Sequence, residues 1–177
     1  LFTTYNTFLK LNENLSEVEK LIKNHESSTV ELKSTFSKSL QNEVPEQVLE
    51  HKALQSVVGF LNSKRGGFLF IGIDDDKKAI GIDKDKFGKD YDKFRRNFVQ
   101  KVENNIGKSF VNRIEMKIEK YQDKDIFYVE CEKREKGNYA YLRSWKDKKK
   151  EEFFIRTEGK VVLLEGKDLA DFILENK

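Results

Sequence analysis

A carboxylate and an ammonium group share one face of a predicted strand near the start of the chain. Residues 29–33 alternate between apolar and polar types, which is typical of a half-buried strand. Because side chains along a strand alternate with period two, Glu31 and Lys33 point to the same side. Glu26 lies five residues before Glu31 and reaches the same end if the chain bends at the intervening serines.

Two aspartates follow a second predicted strand. Residues 68–73 are apolar on both faces, which favours a strand in the centre of a sheet. Asp74 and Asp75 come directly after it, in a turn that leads to a predicted hairpin partner over residues 79–82. If the two strands are neighbours, three carboxylates and the ammonium group of Lys33 meet at one site.

Such a set of side chains suits a divalent cation that acts on phosphate. Proteins hold Mg²⁺ or Mn²⁺ with carboxylates together with water and phosphate oxygens. The metal polarises a phosphate and lowers the pKa of an attacking water, and a nearby lysine stabilises negative charge. The pattern therefore predicts a site for Mg²⁺ or Mn²⁺. Its candidate ligands are Glu26, Glu31, Asp74 and Asp75.

The same residues also have an ordinary interpretation. Glu-x-Lys pairs are common on exposed strands of a chain in which 37% of the residues are charged. Aspartates are frequent in hairpin turns because their side chains bind nearby backbone groups. The pattern alone leaves both interpretations open, a metal site and a solvated strand face.

The surrounding elements predict an α+β fold. A capping box of Ser16 and Glu19 begins a helix over residues 16–24, and Pro45 suits the first turn of a helix with an apolar stripe up to Leu61. The other predicted elements are a helix at 89–106, strands at 110–120, 125–132, 139–143, 152–156 and 161–164, and a helix at 167–175. We expect a mixed β-sheet with helices packed against it.

Length and composition favour one globular domain. The chain has 177 residues, of which 37% are hydrophobic, and it contains 14 Phe with which to build a core. We expect residues 1–177 to form a single domain in which residues 1–24 are an N-terminal helical extension. Because the chain begins with Leu1, we also expect it to be a piece excised from a longer protein.

Composition also excludes several classes of protein. With one cysteine, Cys131, the chain cannot form an internal disulfide, which favours a reducing, cytoplasmic location. No stretch approaches the roughly 20 apolar residues that span a bilayer, so we expect no membrane contact. The net charge is only +3, so binding to nucleic acid would depend on local clusters of cations.

Several segments, in order and spacing, resemble the AlbA-type domain of the Schlafen family and its bacterial relatives. They are residues 25–33 (HESSTVELK), 59–63 (GFLNS) and 66–75 (GGFLFIGIDD), followed by Gly81 and by residues 153–156 (FFIR). The corresponding family patterns are E-S-x-x-V-E-F-K, A-F-A-N-T-x-G-G, L-I-G-V-D-D and F-Y-x-R. This chain has one residue more between Asn62 and the glycine pair, and Leu61 where alanine is common.

The resemblance implies a domain that handles nucleic acid. Some family members are endoribonucleases that cut transfer RNA and ribosomal RNA with divalent metal. The resemblance therefore implies an endoribonuclease that acts on structured RNA such as transfer RNA, and we expect its metal to be Mg²⁺ or Mn²⁺. The matching catalytic residues here are Glu26, Glu31, Lys33 and Asp75, with Asp74 as the alternative to Asp75 because a one-residue slip would exchange the faces. The alternative is a non-catalytic DNA- or RNA-binding or sensor module of a larger regulatory or defence protein. We expect RNA to be preferred over DNA, and a homodimer or further domains to complete the cleft that two related lobes form in the animal enzymes.

Basic residues in local clusters are the candidate contacts to phosphate. They are Lys64, Arg65, Arg95, Arg96, Arg143, Lys148, Lys149 and Arg156. Each has a solvated surface position as its alternative. Tyr139, Tyr141 and Trp145 alternate along a predicted strand and could stack on unpaired bases, with packing in the core as the alternative.

Overall fold

The chain folds into an α+β arrangement in which two sheets pack against one long helix, and the predicted fold class is confirmed. The computed structural model describes residues 16–23, 28–41 and 43–176. The described helices are α1 (Glu17–Lys23), α2 (Glu46–Leu61), α3 (Tyr91–Asn105), α4 (Lys108–Val111) and α5 (Gly166–Glu175). The strands are β1 (Val30–Lys33), β2 (Gly67–Ile71), β3 (Ile114–Tyr121), β4 (Lys124–Cys131), β5 (Leu142–Arg143), β6 (Glu151–Thr157) and β7 (Lys160–Leu164).

The first sheet is mixed and has the strand order β1-β2-β4-β3. β1 runs parallel to β2, whereas the other neighbours are antiparallel. In the β1–β2 register, Glu31 lies opposite Leu69 and Lys33 opposite Ile71. The two strands are therefore neighbours, as predicted, and β1 lies at the edge of the sheet.

The alternation of β1 separates two buried clusters. Val30 and Leu32 pack with α1 on one face of the sheet, in a cluster that includes Ile22. The opposite face carries Glu31 and Lys33 and belongs to the side on which α2 and α3 build the larger core. Burial of the apolar face holds β1 in this register, because a one-residue slip would expose both of its hydrophobic side chains.

The predicted hairpin after β2 is a compact loop instead of a second strand. Ile73 and Ala79 form an isolated bridge, and the chain then enters a short 3-10 helix, Ile82–Lys84. Gly72 and Gly81 have φ angles of 97° and 91°, a left-handed backbone that bends the chain away from strand geometry. The carbonyl oxygen of Gly72 accepts hydrogen bonds from the amides of Ile80 and Gly81.

The second sheet is antiparallel, has the order β5-β6-β7, and packs on α2. Asn62, at the end of α2, joins helix and sheet. Its Nδ2 donates to the carbonyl oxygens of Ala140 and Phe154 at 2.9 Å each, and its Oδ1 accepts from the Ala140 amide at 2.8 Å. The end of α2 and the loop that follows it are thereby held beside β6.

The predicted capping box at the first helix is confirmed. The Ser16 amide donates to the Glu19 carboxylate at 2.8 Å, and the Glu19 amide donates to Ser16 Oγ at 3.2 Å. None of the described helices combines the length and the apolar composition that a bilayer-spanning helix needs.

Candidate nucleic-acid interface

Two cations hold the carboxylate of Glu31. Lys33 Nζ pairs with Oε1, and Arg156 Nη2 lies 2.9 Å from Oε2. The side chains of Glu31 and Lys33 are 20% and 30% exposed. The predicted pair on one strand face is therefore partly accessible, and it has a third partner, Arg156, on the second sheet.

Arg156 fastens β6 to the start of β1. Its Nε donates to the carbonyl oxygen of Ser28 at 2.9 Å, and its Nη2 donates to that of Val30 at 2.8 Å. The guanidinium carbon lies 4.7 Å from the ring centroid of Phe60. The side chain is 2% exposed, and Nη1 is buried without a hydrogen-bond partner among the described residues. Arg156 thus has a visible structural role, whereas its predicted contact with nucleic acid stays a prediction.

Asp74 and Asp75 begin their turn next to the end of β1. The carbonyl oxygen of Lys33 accepts from the amides of Gly72 at 2.9 Å and Ile73 at 3.2 Å, which joins the two strand ends. Asp74 Oδ1 accepts from the Lys78 amide at 2.8 Å and so closes the turn. Asp75 is exposed and makes no hydrogen bond to the described residues, so of the two predicted aspartates its carboxylate is the more accessible to a ligand.

The described residues do not by themselves complete a metal site. Within residues 16–23, 28–41 and 43–176, no three His, Cys, Asp or Glu side chains are arranged to hold an ion. Both oxygens of Glu31 are bound by cations, and Asp74 is used by its own turn. Glu26 lies outside the described residues, so the predicted site of three carboxylates stays a prediction that depends on it.

A groove of about 380 Å³ lies beside the start of β1, where Arg156 of β6 binds the backbone. Lys64 and Arg65, from the loop after α2, line this groove together with Arg134, from the segment after β4. Lys64 and Arg134 also line an adjoining hollow with Lys136. We call Lys64, Arg65, Arg134 and Lys136 the basic groove.

The glycine pair of the predicted motif positions Lys64 and Arg65. Ser63 Oγ accepts from the amides of Arg65 and Gly66, which folds the loop so that both basic side chains are exposed. A Cβ atom on Gly66 would lie 2.2 Å from the carbonyl oxygen of Cys131. The first glycine is therefore required where this loop passes close to the end of β4.

Arg134 is a groove residue that sequence reasoning missed. Its Nη1 donates to the carbonyl oxygen of Asn62 at 3.2 Å, and its Nη2 donates to Asn176 Oδ1 at 3.0 Å. The guanidinium carbon lies 5.7 Å and 5.5 Å from the ring centroids of Tyr139 and Phe172. The basic run at residues 133–136 is the signal that could have pointed to it.

The other predicted cations lie on different surfaces. Arg95 and Arg96 are exposed on α3 and line an open hollow of about 570 Å³. Arg143 is exposed on β5, and Lys148 and Lys149 are exposed in the turn between β5 and β6. The structure therefore brings Lys64 and Arg65 together with Arg134 but does not bring the remaining exposed candidates into the same groove.

The predicted aromatic row divides between core and surface. The ring centroids of Tyr139 and Tyr141 lie 5.9 Å and 5.0 Å from that of Phe153, a buried residue of β6. Burial raises the pKa of the Tyr141 hydroxyl. Trp145 is 41% exposed. Packing therefore accounts for the two tyrosines, and only Trp145 of the three presents a large exposed aromatic surface.

Comparisons with known proteins identify relatives at the level of the domain. The family model described as Schlafen, AlbA_2 matches residues 26–165. The crystal structure of the DIP2311 protein from Corynebacterium diphtheriae is similar over 78% of this chain, with 14% identity and a TM-score of 0.51. This chain spans only 22% of that one, and the likeness concerns the fold alone.

A second solved structure is the N-terminal domain of a RecG-related protein from Nitrosomonas europaea. It is similar over 74% of this chain and 83% of its own length, with 18% identity and a TM-score of 0.49. No curated protein sequence matches the chain.

Proposed function

The chain belongs to the Schlafen AlbA_2 family, and from this premise we propose that it binds RNA along the basic groove. The family supports a domain that handles nucleic acid. The preference for RNA over DNA rests on the resemblance to family members that cut transfer RNA. A homodimer or further domains of a longer protein would extend the groove, as the resemblance to the two-lobed animal enzymes implies.

The convergence of four cations from two separate segments carries the proposal. Lys64 and Arg65 follow α2, Arg134 and Lys136 follow β4, and Glu175 is the one carboxylate among the described residues that line the groove and its adjoining hollow. An array of this kind attracts phosphates irrespective of sequence. Arg134 is already held in place by Asn62 and Asn176, so little side-chain freedom is lost on binding.

Affinity as a function of salt concentration tests this proposal. We expect labelled transfer RNA to bind more weakly as salt rises, since each phosphate contact releases counterions. The slope of log association constant against log salt concentration is negative. Replacing Lys64 and Arg65 together by alanine should make it shallower by about 1.4 to 1.8, at about 0.7–0.9 per contact. The matched control replaces Arg95 and Arg96, two exposed arginines on α3. Absence of binding to RNA and DNA at low salt, or a larger effect of the control pair, would contradict binding in this groove.

We further propose that the domain cleaves structured RNA such as transfer RNA as a Mg²⁺- or Mn²⁺-dependent endoribonuclease. Two observations favour this second function. Arg156 both lines the basic groove and binds Glu31, so RNA in the groove would lie next to that carboxylate. Backbone hydrogen bonds also join Lys33 to the strand end that precedes Asp75.

In this second proposal, Glu26, Glu31 and Asp75 would hold the metal, and the metal would activate the attacking water when bound. Without Glu26, the described residues do not complete a metal site. Lys33 also has a role in this proposal. Its ammonium group neutralises Glu31 and is partly exposed, and it could instead stabilise the charge that develops on a phosphate.

Cleavage of transfer RNA with Mn²⁺ and with chelator tests the enzymatic proposal. We expect wild type to cut only with metal, and Glu31→Gln and Asp75→Asn to lose about 100-fold or more in rate, which is the usual cost of removing a group that supports the transition state. Asp76→Asn is the matched control, because Asp76 is exposed in the same turn and the substitution removes the same charge. The absence of metal-dependent cleavage by wild type, or an equal rate for Glu31→Gln, would refute the nuclease and leave the binding proposal standing.

A further inference from the structure

A second cleft lies between the first half of α2, the end of α3 and the turn that joins β5 to β6. It has a volume of about 150 Å³, and its lining includes Glu50, Lys101, Asn105, Trp145 and Lys148. None of its lining residues belongs to the basic groove. We call it the Trp145 cleft.

The floor of the Trp145 cleft is a charge-balanced pair. The carboxylate of Glu50 is 5% exposed, accepts a hydrogen bond from Ser37 Oγ at 2.9 Å, and has Lys101 Nζ at 2.5 Å. Lys101 neutralises the buried carboxylate while 30% of its own side chain stays exposed. An anion that approaches the cleft therefore meets a compensated floor instead of an unpaired negative charge.

One wall of the cleft is formed by His51, a residue of α2 whose ring packs against β6. Its Nε2 lies 2.9 Å from a carboxylate oxygen of Glu152, and the ring is 6.4 Å from that of Phe154. These contacts hold the ring against β6.

The rim of the cleft combines an exposed indole with cations. Trp145 is 41% exposed, although a tryptophan gains more by burial than almost any other side chain. Lys148 is exposed at the same rim, and Lys146 Nζ lies over the indole ring, 5.5 Å from its centroid, so a base would stack on the other face or displace this ammonium group. An exposed aromatic face beside ammonium groups is the combination with which proteins bind an unpaired base and its phosphate.

We propose that the Trp145 cleft receives one unpaired base of single-stranded RNA, stacked on Trp145, with the adjacent phosphate bound by Lys148. This inference rests on the proposed binding of RNA and adds a subsite on a different surface. Gln47 and Asn105 line the cleft. Asn105 Nδ2 donates to the carbonyl oxygen of Lys101, which leaves its Oδ1 as an acceptor, and the amide of Gln47 could supply a donor and an acceptor for the edge of a base. A base inside a duplex is already stacked and paired, so the cleft distinguishes single-stranded from double-stranded RNA.

Intrinsic fluorescence offers a direct readout, because Trp145 is the single tryptophan of the chain. We expect a single-stranded RNA oligonucleotide to quench this fluorescence in a saturable way, and a duplex of the same sequence to leave it nearly unchanged. Binding is followed independently by the anisotropy of a fluorophore on the oligonucleotide. The two signals together separate binding to the protein from occupation of the cleft.

Three variants locate the base and the phosphate. Trp145→Ala should raise Kd for the single strand by about 5-fold to 150-fold, which corresponds to stacking of about 1–3 kcal/mol per base. Trp145→Tyr keeps an aromatic face and should restore most of the affinity. Lys148→Ala should make the negative slope of log association constant against log salt concentration shallower by about 0.7. Lys160→Ala is the matched control, since Lys160 is exposed on β7 and does not line the cleft.

The outcomes distinguish this inference from the function on which it rests. If the oligonucleotide binds by anisotropy, but Trp145→Ala has the Kd of wild type or saturation leaves the Trp145 fluorescence unchanged, the subsite is refuted and RNA binding remains. If neither single-stranded RNA nor transfer RNA binds at low salt, both fail. Circular dichroism of each variant establishes that it is folded, which we expect because Trp145 and Lys148 are exposed.

Discussion

Arg156 and Glu31 form an ion pair between the second sheet and the edge strand of the first, with 2.9 Å between Nη2 and Oε2. The same guanidinium binds two backbone carbonyl oxygens at the start of β1. Glu31, a predicted metal ligand, is thus bound by Arg156, which was itself predicted to contact nucleic acid. The pair couples the geometry of Glu31 to the packing of the second sheet, and it lies at the border of the basic groove.

Replacing Arg156 by glutamine should destabilise the fold. It would leave Glu31 without one of its two cations and the carbonyl oxygens of Ser28 and Val30 without their donor. Breaking a fully buried pair costs about 3–5 kcal/mol, and we expect about 3 kcal/mol here because Glu31 is 20% exposed. Urea denaturation measures the loss. Arg143→Gln, at an exposed position on β5, is the control and should change stability by less than about 0.5 kcal/mol.

Replacing Asn62 by alanine should weaken the attachment of α2 to the second sheet and so destabilise the fold. Two carbonyl groups and one amide would lose their partners in the interior. Since an unsatisfied buried group costs about 1–3 kcal/mol, we expect a loss of about 3 kcal/mol with partial relaxation. Asn138→Ala removes only a bond to Glu135 in an exposed turn and is the matched substitution. Equal unfolding midpoints for the two variants would contradict this account of Asn62.

Comparing Gly66 with Gly159 tests why the first glycine of the Gly66-Gly67 pair is needed. Both have a left-handed backbone, with φ of 70° and 78°, which costs an alanine about 1–2 kcal/mol. A Cβ on Gly66 would lie 2.2 Å from the carbonyl oxygen of Cys131, whereas a Cβ on Gly159 meets no atom of the described part of the chain within 4 Å. Gly66→Ala should therefore lose about 1–3 kcal/mol more than Gly159→Ala, because crowding adds to the backbone term. Similar losses for the two variants would show that the close approach is unimportant.

His51 should make stability depend on pH. Burial lowers the pKa of its imidazole below the ordinary 6.5, although Glu152 acts in the opposite direction. The unfolded chain therefore binds a proton that the folded protein resists. The contribution is fully present above about pH 6.5 and is lost as pH falls through that value toward the lowered pKa.

Urea midpoints between about pH 8 and about pH 5 measure this dependence. We expect wild type to lose more stability on acidification than His51→Gln, which keeps a donor for Glu152 but does not titrate. Parallel pH profiles for the two proteins would contradict the assignment to His51.

The elements near the candidate site could be predicted from local patterns. The alternation of residues 29–33 indicated which side chains of β1 are buried, and the capping box at Ser16 indicated the start of α1. These signals are local because side-chain direction follows from backbone periodicity and a cap lies within one helical turn of its partner. The predicted strand partner at residues 79–82 was wrong, since left-handed backbone at Gly72 and Gly81 ends the pairing.

The sequence by itself determined the chemical inventory: Glu31 and Lys33 on one strand face, aspartates after the neighbouring strand, and basic residues after α2. Only the tertiary structure decided which cations are accessible. Arg156 is buried against β1, whereas Arg134, which no motif marked, lines the groove beside Lys64. The reason is physical: the exposure of a charge depends on which distant elements pack over it, and periodicity along the chain carries no information about that packing.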